Sequence, residues 1–320
     1  MQRRILLCGA LTGAMMLSGC GEGDTFVAST PTPPAPTPTP TPTPAPLGFK
    51  NMAVFSGVST NTNFTTRGYD TLYAPEPSSP FTGDFTISYD AASKSYSIAS
   101  TAISGRFDEF LPTSDPTVIT SDATRLIGQV RNPATGYNNG SLTVYRPATD
   151  GSIGLTYSTY AIMRETQSDG LLYVAFGFPT LSANIPTTGN ATYLAKTSGR
   201  TDNGLYAVDG DVRLDFNFGG GTLSGYFDPK LLGRGTDTSL VHLSLGHYAF
   251  SNAVYSSGAG TFSGSFALPP GVTGYSAFDG QLTGPAAQEL IARFQAPYTP
   301  PMGATGDPGR IFGVWIGAKQ

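Results

Sequence analysis

From residue 208 to 218 apolar and polar positions alternate: Val208, Val212, Leu214, Phe216 and Phe218 share one parity, and Asp209, Asp211, Arg213, Asp215 and Asn217 share the other. A period of two is that of a β-strand with one face in a core and the other in water. Gly219, Gly220 and Gly221 turn the chain, and 221–227 (GTLSGYF) returns; the motif recurs at 260–266 (GTFSGSF), two copies of one kind of strand rather than a solenoid repeat. Further strands are predicted at 190–197, 239–245, 247–255 and 310–316. Asp279-Gly280 and Gly284-Pro285 punctuate a strand-like run, and 288–294 pairs back on it as a hairpin. The count is eight or nine strands. Eight antiparallel strands close into a barrel whose interior is just filled by side chains, and closure removes exposed sheet edges.

Upstream, 48–182 reads as many short strands, at 81–89, 95–100, 102–107, 141–145 and 155–160, with no sustained helical period. Pro179 and Pro186 interrupt strand pairing and Gly189 permits a tight turn, so a border is placed near Ala183. The expected fold class is all-β: a β-rich domain over 48–182, then an eight-stranded antiparallel soluble barrel over 183–320. The composition agrees, with 40 Gly, 19 Phe and 16 Tyr and only 12% charged residues. A transmembrane barrel is the architectural rival; it needs strands of about 9 to 11 residues with an apolar lipid-facing parity, and several strands here read as shorter.

Arg3 and Arg4 precede an apolar run at 5–17 and the tetrapeptide Leu17-Ser18-Gly19-Cys20, the form of a lipoprotein signal at 1–19 with Cys20 as the lipidated residue. The apolar run is shorter than the roughly 20 residues of a spanning helix. Cys8 would leave with the signal, so no disulfide or Cys-metal role is expected. Gly21 is compatible with outer-membrane sorting. Residues 31–46 are almost pure Pro, Thr and Ala; alternating Pro makes an extended spacer of about 50 Å at roughly 3.1 Å per residue. The segment 20–47 is either a stalk that projects the folded part outward or an inert linker.

The chain has 18 basic and 22 acidic residues, and loss of Arg3 and Arg4 takes its formal charge from -4 to -6. No basic cluster suits nucleic acid. The two histidines, His242 and His247, fall on opposite strand faces unless Gly246 makes a bulge, and Asp209, Asp211 and Asp215 lack calcium-loop spacing around Arg213. No nucleophile elbow, zinc-helix motif or phosphate loop is present, and no cofactor is implied. Glu109, Glu165 and Glu289 are the glutamates that could supply a hydrolytic carboxylate pair, with structural hydrogen bonding the better role for Glu289. Trp315 and Phe312 are expected in the barrel core.

Three stretches resemble transferrin-binding-protein-B-type lipoproteins. In 278–294 (FDGQLTGPAAQELIARF), Phe278, Gly280, Gly284, Pro285, Ala287, Glu289 and Phe294 fit the family's penultimate hairpin, whereas Leu282, Ala286 and Ala292 replace its Phe, Asn and Gly. Residues 176–193 resemble the handle-to-barrel junction, with Ile185 in place of Met, and 155–160 (LTYSTY) resembles a handle strand. The resemblance implies a non-enzymatic, surface-displayed outer-membrane lipoprotein that captures a host or environmental iron- or haem-carrying protein, or a small solute, beside a TonB-dependent receptor. Binding is expected in the loops 112–124, 131–140 and 228–238, with Arg125, Arg131 and Arg234 as rim contacts. A structural or adhesive envelope protein without a discrete ligand and a hydrolase remain the rival classes.

Overall fold

The computed structural model describes residues 64–71, 84–90, 95–100, 109–110, 118–121, 125–131, 138–145, 155–165, 171–234, 240–302, 304 and 306–320. Cys20, the spacer and the strand expected at 102–107 lie outside them. The described residues form eighteen strands in two antiparallel sheets. The first holds β1 (Phe64–Thr71), β2 (Asp84–Asp90), β3 (Ser95–Ser100), β4 (Glu109–Phe110), β5 (Val118–Ser121), β6 (Arg125–Arg131), β7 (Asn138–Tyr145), β8 (Ser158–Glu165) and β9 (Leu171–Gly177). The second holds β10 (Asn190–Thr201), β11 (Ala207–Asn217), β12 (Thr222–Arg234), β13 (Leu240–Ser244), β14 (Tyr248–Val254), β15 (Thr261–Ala267), β16 (Ala277–Thr283), β17 (Glu289–Tyr298) and β18 (Gly309–Lys319).

The second sheet is a closed barrel. Its order is β11-β10-β18-β17-β16-β15-β14-β12, and β12 pairs back onto β11 from Ala207↔Leu232 to Asn217↔Thr222. Eight strands make the ring. The ninth, β13, continues the line of β14 along the upper half of β12. The break between β13 and β14 falls at Gly246, whose φ of +94° suits glycine, and it resets the side-chain parity. His242 and His247 therefore both face outward instead of taking opposite faces. In the first sheet, β4 pairs with both β3 and β6, so that β1–β4 and β6–β9 also form a ring, with β5 outside β6.

Alternation holds where one strand face meets water. In β11, Val208, Val212, Leu214 and Phe216 are buried while Asp211 and Asn217 are exposed. The two motif copies are equivalent barrel strands: Leu223 and Phe227 in β12 point inward as Phe262 and Phe266 do in β15. Strands β9, β17 and β18 are instead buried on both faces. One face of β17 and β18 lines the barrel; the other, with Ile291, Phe312, Val314 and Ile316, packs on Tyr173 and Ala175 of β9 and on Leu155 before β8.

Several expectations are corrected. The strand expected at 155–160 begins at Ser158 and runs to Glu165, because the amides of Thr156 and Tyr157 bond to a side chain rather than a neighbouring strand. Phe312 lies outside the barrel core, three residues from Trp315 and hence on the opposite face. Five barrel strands, β10, β11, β12, β17 and β18, are 10 to 13 residues long. The charged outer parity of β11, not strand length, separates this barrel from a membrane-spanning one.

Candidate functional site

The barrel interior is solid. Trp315 sits 5.3 Å from the Phe227 and Phe294 ring centroids and 5.5 Å from Phe278, and Phe216 meets Tyr193, Tyr255 and Phe262 at 5.1 to 5.4 Å. Tyr248 donates its hydroxyl to the Pro297 carbonyl (3.0 Å) and Tyr193 to that of Ala287. Burial pushes the pKa of both phenols up, so they stay protonated. Among the described residues these interlocked rings fill the barrel interior.

On the exposed wall, β10–β12 carry a ladder of ion pairs. Lys196 and Lys230 both reach Asp211, and Arg213 holds Asp215 through Nε (2.8 Å) and Nη2 (2.9 Å). These partners pull the pKa of both carboxyls down. His247 Nδ1 lies 2.7 Å from Asp228 and His242 Nδ1 3.8 Å from Asp209. Asp211 and Asp215 are thus engaged by basic side chains, while Asp209 lies 3.8 Å from His242 with its pKa pushed up by burial. No cluster of three potential metal ligands occurs among the described residues.

The upper end, where β10 finishes, carries the connections 202–206, 268–276 and 299–308. Its backbone is braced: Gly204 N donates to Thr201 O (3.0 Å), Asp202 N to Arg310 O (2.9 Å), Val272 N to Pro269 O (3.1 Å) and Ala304 N to Pro301 O (3.0 Å). Leu205 N bonds Asn203 Oδ1 at 3.0 Å, and Leu205 lies beside Gly306 of the 299–308 connection. On these braced turns stand Leu205, Tyr275 and Met302, which is 99% exposed. Their signal in the sequence was an apolar residue inside each of three Gly/Pro/Asn turn stretches, DNGLY, GVTGYS and TPPMG, where polar residues are the norm. Among the described residues, the lower end carries open clefts of about 400 and 310 Å³, one lined by Asn190, Thr192, Asp215 and Asn217 and the other by Ser256, Thr261, Ser263 and Asp279.

The arginines expected in loops are in strands. Arg125 opens β6, exposed, and Arg131 closes it, opposite Glu109 of β4. Seven residues of strand set the two about 20 Å apart. Arg234 ends β12 at the upper barrel end. The stretch 228–238, expected as a loop, is strand through Arg234, because the ladder tolerates Pro229 where β12 changes partner from β14 to β13. Likewise 118–121 of the loop 112–124 is β5, and β7 begins at Asn138 within 131–140. The structure does not bring the three arginines together.

Glu289 is structural, as its motif position suggested. It is 2% exposed at the start of β17 and accepts the amides of Thr156 (2.5 Å) and Tyr157 (2.9 Å) from the segment that leads into β8. Burial pushes its pKa up to about 7, against the pull of hydrogen bonds from Tyr157, Thr156 and Ser158. Ser158 Oγ also meets Thr283 Oγ1 at 2.6 Å, and Thr180 Oγ1 donates to Gly284 O (2.7 Å). Among the described residues, none of the groups that set the proton affinity of Glu289 is a second acid.

No family model matches the chain, and no curated protein matches it. Among solved structures it is similar to a double mutant of the vaccine antigen transferrin-binding protein B from Haemophilus parasuis Hp5, at 15% identity and TM-score 0.38 over 79% of this chain and 53% of that one. It therefore spans about half of that protein's length. The haemoglobin receptor HpuA from Kingella denitrificans matches at 13% identity and TM-score 0.36, over 82% of this chain and 88% of that one. Kievitone hydratase from Nectria haematococca matches at 9% identity and TM-score 0.22, over 81% of this chain and 89% of that one. The architecture stands on strand order and register, independently of these likenesses.

Proposed function

We propose that this protein is a non-enzymatic binding protein, anchored by lipid at Cys20 in the outer membrane and displayed at the cell surface, which grips a partner protein with the upper loop end of its barrel. The observation that carries the reading is the conjunction of a solid interior with a braced rim bearing Leu205, Tyr275 and Met302. Rings packed through the barrel interior favour a partner on the outer surface over a solute in a lumen. Exposed apolar side chains on ordered turns suit a protein surface, since little conformational entropy is lost on docking. With the signal at 1–19 removed, the lipid on Cys20 and the spacer at 20–47 would hold two domains, 48–182 and 183–320, away from the membrane.

An iron- or haem-carrying protein is the partner class implied by the motif resemblance at 155–160, 176–193 and 278–294, with a TonB-dependent receptor as its neighbour in the membrane. Arg125, Arg131 and Arg234 serve in this reading as separate rim charges rather than one site. The test is affinity capture by residues 48–320 from host fluid and solubilised outer membranes, read by mass spectrometry, beside the triple variant Leu205→Ser, Tyr275→Ser, Met302→Ser. Saturable recovery of an iron or haem carrier or a transporter, weakened at least about tenfold in the variant, is the expected result. Equal recovery by both proteins would remove the rim. Recovery of nothing above a denatured control would favour a structural envelope protein.

A further inference from the structure

The seam between the first sheet and the barrel is apolar along most of its length, through Leu155, Tyr173, Ile291, Phe312, Val314 and Ile316. At its lower edge stands a buried carboxylate. Glu289 belongs to the barrel, and both amides that it accepts, Thr156 N and Tyr157 N, belong to the segment entering β8 of the other sheet. Among the described residues, no cation is among the groups that set its proton affinity. Among the described residues, Tyr157, in the segment entering β8, is a titratable group that faces it, the pKa of its phenol pushed up by burial and by Glu289. Across the ladder it meets Thr283 on β16 and Ala318 on β18, with exposed Lys319 next along; Arg293, further along β17, is held by Asp279 at 2.8 Å.

We propose that Glu289 makes the docking of the first sheet on the barrel proton-sensitive, the protonated carboxyl holding the seam closed and its ionisation loosening it. An undocked Glu289 would be hydrated and titrate in the ordinary range. The docked group is dry, and burial outweighs its two amide bonds. The docked form therefore binds the proton more tightly, and docking weakens as pH rises from about 4.5 to about 7, by up to about 300-fold over that window. The Ser158 hydroxyl reaches both Glu289 and Thr283, so it can donate to the carboxylate or, turned round, accept from the carboxyl while donating to Thr283. The proton then has an acceptor inside the seam.

The test is amide hydrogen exchange of the full chain from pH 5 to 8, corrected for intrinsic rates. Protection at 156–157 should fall as pH rises in the wild type and stay level in Glu289→Gln. A level wild-type profile, or the same fall in the variant, would overturn the proposal. The carboxyl carbon of Glu289, followed by NMR in the unmutated protein, needs no variant to fold: a midpoint near 7 supports the proposal and one below 5 overturns it.

Discussion

Phe312 and Trp315, three residues apart on β18, stand on opposite sides of the barrel wall: Trp315 is stacked on Phe294 inside, whereas Phe312 meets Tyr173 of the other sheet edge-on at 6.3 Å. One strand thus serves two cores. Trp315→Ala should cost about 3–5 kcal/mol in denaturant unfolding of the barrel, since the surrounding rings cannot all collapse into the space. Phe312→Ala should leave the barrel intact and loosen the first sheet, seen as faster proteolysis within 64–177 with unchanged protection of β11 and β12.

The repeated motif places Gly264 where a Cβ would run into the Phe278 ring and lie 3.1 Å from Ala253 Cα. Gly264→Ala should destabilise the barrel by about 1–3 kcal/mol, as overpacking does. Gly271, where nothing stands within 4 Å but φ is +81°, should lose about 1 kcal/mol through backbone conformation alone. Thermal unfolding of the two variants would separate steric from conformational cost.

Ala286, in the turn after Gly284, has φ +54°, a left-handed conformation that alanine disfavours. The resembling motif has Asn at this place, and Asn tolerates that region best after glycine. Ala286 is exposed, so Ala286→Asn or Ala286→Gly should raise stability by about 0.5–1 kcal/mol. An unchanged or lower melting temperature would contradict the turn geometry.

Arg293 is 5% exposed and its Nε donates to Asp279 at 2.8 Å. Arg293→Met should cost about 3 kcal/mol by removing the guanidinium that donates to the half-buried Asp279 carboxylate. Arg293→Met with Asp279→Asn should cost less than the single change, and a double-mutant cycle in urea measures that coupling.

Lipidation is tested apart from binding. Cys20→Ala should release the protein into the soluble fraction after detergent-free washing, and continued membrane partition would exclude the Cys20 anchor.

Alternation alone determined the strands of the barrel's wet side, because Val208 to Phe218 faces rings on one parity and water on the other, and period two is then written in the residues. The glycine motifs likewise marked equivalent strands, since their close approaches are local demands. Where a strand has apolar neighbours on both faces, as β9 (LLYVAFG) does, no alternation survives to be read. The opposite faces of Phe312 and Trp315 follow from parity, but what covers each face depends on which distant strand arrives there. The same holds for Glu289: its motif position pointed to a hydrogen-bonding role, while its partners, more than a hundred residues away, and its proton affinity were decided by the docking of one sheet on the other. The rim of Leu205, Tyr275 and Met302 was also a tertiary outcome, since only ring closure brings three separate turns to one end.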